Sequence, residues 1–163
     1  METKRKTLWA VLAALFAAYA ALMLCLLFDR PAGPAAVSCW EQVRWSVNLV
    51  PFRTIREFWA VLRTGEGGYL ARHAVINLAG NVVMFVPLGF SLPRLWRSAR
   101  RLHRTLLRAA GVILAIEIAQ PLTLRGSGDI DDLILNLAGT ALGYGLFALG
   151  RQLSARRGST EGL

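Results

Sequence analysis

Long uncharged stretches alternate with polar ones along this chain, and four of them are long enough to cross a bilayer. The first, Thr7 to Phe28, follows Lys4-Arg5-Lys6 and covers about 33 Å at 1.5 Å per helical residue. The second, His73 to Pro93, lies between Arg72 and Arg94 and holds Asn77, Gly80, Asn81, Pro87 and Gly89. Pro87 has no donor for the carbonyl four residues back, which predicts a kink near the far end. Thr105 to Leu122 is the third, with Arg108 near its start and Glu117 within it, and Leu133 to Gly150 is the fourth, uncharged and rich in glycine. Between the first two, Ile55, Phe58, Trp59 and Leu62 recur at helical spacing while Arg56, Glu57 and Arg63 take other faces. That pattern predicts an amphipathic helix lying in the membrane interface, a depth that also suits Trp40 and Trp45.

The predicted fold class is an all-α membrane protein: four transmembrane helices in a bundle, with an interfacial amphipathic helix in the first outer loop. Residues 1–6 form a basic N-terminus, 7–150 the membrane domain with spans near 7–28, 73–93, 105–122 and 133–150, and 151–163 a polar tail expected to be disordered.

Composition agrees with that class. The chain is 55% hydrophobic with a mean hydropathy of +0.43, too apolar for an ordinary soluble domain of 163 residues. A net charge of +9 invites a nucleic-acid reading, but the basic residues cluster between spans and at the chain ends, so no nucleic-acid partner is expected. Of the 19 Lys and Arg, twelve fall in 4–6, 94–108 and 151–157, and seven are spread through 30–72 and at Arg125. The imbalance predicts a multi-pass protein of the bacterial cytoplasmic membrane with both termini cytoplasmic and the loops at 29–72 and 123–132 outside. A signal peptide would share the basic start and the small residues at Ala35-Ala36, but the first run exceeds a signal core and is read as a retained span. Cys25 and Cys39 have no metal-ligand spacing and are read as incidental thiols.

Chemistry concentrates in Arg125-Gly126-Ser127-Gly128-Asp129-Ile130-Asp131-Asp132, at the start of the fourth span. Asp129, Asp132 and Asn136 fall on one helical stripe that Gly139 and Gly143 continue, Glu117 and Gln120 share a face of the third span, and Asn77 and Asn81 are one turn apart on the second. All belong near the outer end of their spans, and a carboxylate such as Glu117 must face the bundle interior or a wet cleft. Crowded carboxylates suit acid/base work, or a hard divalent ion such as magnesium, while Arg53 and Arg125 suit a phosphate or carboxylate. No P-loop, zinc motif or G-x-S-x-G is present. Structural readings stand beside these: Asp129 and Asp132 as helix cap and dipole partner, the asparagines as interhelical bonds, and Glu117 paired with Arg53 or Arg125. His73 and His103 are read as interfacial. Gly139 and Gly143 form a close-packing surface, within one chain or between two copies in a homo-oligomer. Asn-Leu-Ala-Gly at 77–80 recurs at 136–139, in spans read as running in opposite directions, and is set down to chance.

Asn48-Leu49-Val50-Pro51-Phe52-Arg53, Asn77-x-x-Gly80-Asn81 leading to Phe85-x-Pro87-Leu88-Gly89-Phe90, Glu117-x-x-Gln120, and Arg125-Gly126 followed by Asp129-Ile130-Asp131-Asp132 and Asn136-x-x-Gly139 together resemble the VanZ-like family. The resemblance spans about residues 45–150. The run Pro121-Leu122-Thr123-Leu124 departs from it in being less apolar. It implies a small integral protein of the bacterial envelope, in a family whose founding member is associated with teicoplanin resistance. It also adds Asn48 to the candidate site. The expectation is a protein that recognises, and in one version modifies, a lipid-linked or cell-wall-precursor group at the outer leaflet. Arg53 and Arg125 would bind the anionic head. Glu117, Asp129, Asp131 and Asp132 would supply acid/base or metal-binding groups, and Asn48, Asn77, Asn81, Gln120 and Asn136 would fix orientation. The competing expectation is a non-catalytic membrane partner or small transport component whose polar cluster locks helices together.

Overall fold

The computed structural model describes residues 2–29, 38–65 and 68–160. Six helices are found among them: α1 (Glu2–Phe28), α2 (Cys39–Trp45), α3 (Arg53–Arg63), α4 (Tyr69–Leu95), α5 (Leu102–Leu122) and α6 (Ile130–Thr160). A 3-10 turn at Arg97–Ala99 joins α4 to α5, and two short strands, β1 (Val47–Asn48) and β2 (Gly128–Asp129), pair in parallel. α1, α4, α5 and α6 are each long and apolar enough to cross a membrane. The protein is therefore an all-α, multi-pass membrane protein by its architecture.

α4 and α6 form the spine, and small residues let them approach. A side chain at Gly139 would meet the backbone of Val82, one at Gly143 the backbone of Val86, and one at Gly89 the backbone of Thr140. Contact of this kind supplies the dispersion and close backbone approach on which helix association in lipid depends. Gly139 and Gly143 thus serve as a close-packing surface within the chain, against α4. Residues 139 and 143 meet 82 and 86 in ascending order, so α4 and α6 run in the same direction. This corrects the opposite directions assigned to the two Asn-Leu-Ala-Gly segments, and it is what strict alternation of four spans requires. The copies are still not equivalent, since Gly139 is wedged against α4 while a side chain at Gly80 would meet nothing within 4 Å.

Around this spine, Phe85, Leu88 and Leu92 of α4 meet Ala109, Ile113 and Ile116 of α5 and Met23 and Leu27 of α1 in one buried cluster. α1 is held at three levels: Phe16 edge-on to Trp96 with ring centroids 5.9 Å apart, Tyr19 Oη donating to the Met84 carbonyl at 2.7 Å, and Gln120 Nε2 donating to the Leu27 carbonyl at 3.0 Å. Leu27 lies in the last turn of α1, whose carbonyls have no partner within the helix, so Gln120 satisfies a group that lipid could not.

Two boundaries differ from expectation. α4 begins at Tyr69 rather than near His73, and α6 continues to Thr160 rather than ending near Gly150, so the segment expected to be a disordered tail is helical through residue 160. Gln152, Leu153, Ala155 and Arg156 are good helix formers, no proline interrupts them, and Ser154 Oγ donates back to the Gly150 carbonyl at 3.0 Å. The amphipathic helix is present as α3. Phe58 packs edge-on against His73 with centroids 5.6 Å apart, while Trp59 is 59% exposed, which gives the helix one protein-facing and one outward side. Trp40 and Trp45 on α2 are exposed as well, as interfacial placement requires.

The α4–α6 seam is directly testable. Gly143→Ala places a methyl group against the Val86 backbone and should cost about 1–3 kcal/mol of stability in detergent. Gly80→Ala, with open space, should be neutral or gain at most about 1 kcal/mol. Equal melting temperatures for the two variants would contradict the close packing described.

Candidate functional site

At the end of the bundle opposite the basic loops, the chain leaves helical geometry twice, at 46–52 and 123–129, and the two irregular segments lie against each other. The second exit from helix, at 123–129, is shaped by α5's terminus. Leu124 takes a left-handed conformation (φ 57°), the Arg125 N–H bonds the Gln120 carbonyl at 3.0 Å and the Leu124 N–H bonds the Pro121 carbonyl at 3.1 Å. This pair of bonds closes the helix and turns the chain back over α5. Pro121-Leu122-Thr123-Leu124, the departure noted in the sequence, is the segment that makes this turn. Gly128 then lies so close to the Glu117 carbonyl that a side chain would approach it to 2.9 Å. Its N–H bonds the Ser46 carbonyl at 2.9 Å, which docks the second segment on the first.

The first segment is ordered by Asn48. Its Oδ1 accepts from the Val50 N–H at 3.1 Å, and its Nδ2 donates to Thr54 Oγ1 at 3.1 Å and to Asp129 Oδ1 at 3.0 Å. Pro51 and Phe52 make a turn closed by the Arg53 N–H on the Val50 carbonyl at 3.3 Å, with Phe52 in the left-handed region at φ 62°. A phenylalanine there is strained and must be held by its surroundings. Asp131 holds it. This fully buried carboxylate accepts the Phe52 N–H on one oxygen and the Ile55 N–H, at 3.0 Å, on the other. α3 has no side-chain cap of its own, so Asp131, from the first turn of α6, caps it from across the interface and sets a negative charge at its positive end.

Asp129 is equally committed. Its Oδ1 accepts the Asp131 N–H at 2.9 Å, which caps α6 as expected from the sequence, and its Oδ2 accepts from Thr54 Oγ1. Its own N–H donates to Glu117 Oε2 at 2.9 Å. Asp132 faces elsewhere: Asn81 Nδ2 donates to its Oδ1 in the α4–α6 seam, where Asn77 and Asn136 sit one turn to either side. Asn136 is only 1% exposed, and neither its Oδ1 nor that of Asn77 has a partner among the described residues. Buried amide oxygens are seldom left so.

The single cluster expected from sequence is therefore two groups. Glu117 and Asp129 lie on the α5 side, while Asn77, Asn81, Asp132 and Asn136 line the seam between α4 and α6. Asp129 does not continue the Asp132–Asn136 stripe, because it precedes the helix and is turned toward Asn48 and Thr54. Arg53 Nε pairs with Glu57 Oε1 at 3.1 Å on the exposed face of α3, and Arg125 is exposed on the turn after α5. Among the described residues no three His, Cys, Asp or Glu side chains converge as metal ligands. The lone pairs of Asp129 and Asp131 are already directed at N–H and O–H donors, so this donor set does not fit a hard divalent ion.

Beside Glu117 and Asp129 lies a cavity of about 290 Å³, otherwise lined by apolar residues of α2, β1, α5 and the start of α6. Leu114, Ile118 and Leu122 form its α5 wall and are 45%, 59% and 62% exposed, so it opens on the apolar outer surface of the bundle. Sequence reasoning missed these residues, since an apolar position facing lipid and one lining a cavity look alike. Thr54 was missed too. Its position one residue after Arg53, in the first turn of a helix, was the only available signal.

Four hydrophobic spans, two irregular polar segments packed together at one end of the bundle, and carboxylates turned inward define a small polytopic membrane protein. The chain belongs to the VanZ/LLP1 family, whose model matches residues 16–151. No curated protein and no solved structure matches it.

The carboxylates should separate by experiment. Asp131→Asn leaves a buried backbone N–H without its acceptor and should destabilise the protein by about 2–4 kcal/mol. Asp132→Asn can still meet Asn81 and should melt within about 1 kcal/mol of wild type. The check is thermal unfolding of the purified variants in detergent. Equal losses would contradict the division of roles.

Proposed function

We propose that this protein binds a lipid-linked anionic group, of the kind that carries cell-wall precursors, at the outer leaflet of the bacterial cytoplasmic membrane. The observation that carries this reading is the lipid-facing apolar cavity with Glu117 and Asp129 on its wall. A hydrocarbon stem would lie along Leu114, Ile118 and Leu133, entering sideways from the bilayer. Its head would remain at the surface, within reach of the exposed Arg125 guanidinium, which suits a phosphate. The orientation is the one that the basic residues favour, with both termini cytoplasmic and the polar segments outside. Of the acids, Glu117 is the one that lines the cavity without capping a helix, and any proton transfer to the bound group falls to it. A link to glycopeptide resistance would follow if the bound group is a precursor those antibiotics recognise.

A second reading is favoured by a specific observation. Asn48, Gln120, Asp129 and Asp131 all make bonds that hold the chain's own segments together. In that reading the polar residues build a rigid surface for another membrane protein.

The deciding measurement is lipid-induced thermal stabilisation of the purified protein. It compares polyprenyl phosphate with phosphatidylcholine, for wild type, Glu117→Gln and Ile118→Trp. Polyprenyl phosphate should stabilise wild type by several degrees. Ile118→Trp, which fills the cavity mouth, should abolish that effect while melting normally without lipid. Undiminished stabilisation of Ile118→Trp would remove the cavity from the account, and absence of any preference in wild type would put the partner reading first.

A further inference from the structure

The opposite end of the bundle carries a separate basic hollow. A cavity of about 630 Å³ lies between the start of α1 and the end of α4, bordered by Lys6, Trp9, Arg94, Arg97 and Arg100. Arg94 lies over the Phe90 ring, 4.2 Å from its centroid, and Lys6 pairs with Glu2 at 2.9 Å. Glu2 is the only acidic side chain at this end among the described residues, so the hollow has a strong surplus of positive charge. Charge bias alone would explain basic residues on this side of a membrane. It would not explain a concavity between two spans that gathers four of them beside a tryptophan.

The hollow adjoins a second feature. Leu12 lines it, and one turn further along α1 Phe16 begins an apolar cleft of about 510 Å³ between α1 and α5. Met23, Leu92, Trp96, Val112 and Ile116 line this cleft, which ends at Phe28. Phe16 lies about 15 Å along α1 from Lys6, so the near end of the cleft, where Trp96 meets Phe16, is within the length of an acyl chain whose phosphate sits in the hollow, and the cleft runs on toward the far end of the helix. The charged hollow and the apolar cleft therefore follow one another as the head and tail of a lipid do.

We infer that this end of the protein seats an anionic glycerophospholipid, with its phosphate among Arg94, Arg97, Arg100 and Lys6 and an acyl chain in the α1–α5 cleft. The bound lipid belongs to the basic-side leaflet, the inner one in the orientation proposed above. It completes the packing of α1, which is tied to α5 at the far end through Gln120 and Leu27 but flanks an apolar gap below. The charge complementarity selects phosphatidylglycerol or cardiolipin over a zwitterionic lipid, since each basic group near an anionic headgroup adds about a fivefold gain in affinity.

Native mass spectrometry of the purified, delipidated protein, with titrated phosphatidylglycerol, phosphatidylcholine or inorganic phosphate, tests this. Wild type should retain one phosphatidylglycerol tightly and phosphatidylcholine weakly, and inorganic phosphate should fail to displace the lipid. Arg97→Gln/Arg100→Gln should weaken retention roughly thirtyfold. Arg104→Gln/Arg151→Gln, which removes the same charge from the same side outside the hollow, should leave it unchanged. Ala115→Trp narrows the cleft without touching a charge and should also lower retention, which keeps the test decisive if the arginine variant does not fold. Equal weakening by both arginine pairs, equal retention of phosphatidylcholine, displacement by phosphate, or full retention by Ala115→Trp would each overturn the inference. Ile118→Trp, at the other cavity, should leave this site intact, so failure of one site is distinguishable from failure of the other.

Discussion

Everything at the polar end of this bundle depends on one carboxylate bound by two amides. Asp131 accepts from Phe52 and Ile55, and in doing so it fixes the strained turn before α3, starts that helix and ties the long first loop to the fourth span. A loop at a membrane surface must satisfy its backbone groups within the protein or surrender them to water. Here Asp129 continues the solution by capping α6 and receiving Thr54 and Asn48. Two adjacent turns of sequence thus organise segments some eighty residues away, and the cavity beside Glu117 exists because β1 and β2 are held there.

The fold was largely legible because lipid imposes a simple rule. An uncharged run of sufficient length becomes a spanning helix, and all four spans and the amphipathic helix follow from hydrophobic pattern alone. What was not legible depended on contacts. Nothing local distinguishes a helix that ends at the bilayer surface from one that continues into water, so the extension of α6 to Thr160 went unseen. Glycine spacing marked Gly139 and Gly143 as a packing surface, but only the backbones of Val82 and Val86 reveal that the surface is used within the chain.

The candidate site was half legible for a related reason. Carboxylates and amides near one membrane surface were visible as a group, but helical phase was extended to Asp129, which precedes the helix, and so one pocket was expected where there are two settings. Asp131 was taken with the chemically active acids, whereas its two oxygens cap a helix from a distance, a role that no local motif announces. Apolar cavity walls such as Ile118 carry no signal at all in a membrane sequence. Asp129, Asp131, Asn48 and Gln120 build the scaffold, and in the function proposed above Glu117 with the apolar wall takes the ligand. The opposite end follows the same logic with reversed charge, pairing a basic hollow with an apolar cleft.

The dependence of α3 and the turn before it on Asp131 is most directly measured by amide hydrogen exchange. α3 is an 11-residue helix with an exposed tryptophan, and left to itself a helix of that length frays and exchanges rapidly. If Asp131 anchors it, the Phe52 and Ile55 amides should be protected to an extent approaching the amides of α4. Exchange of those two amides as fast as an unprotected peptide, while the spans stay protected, would contradict the account.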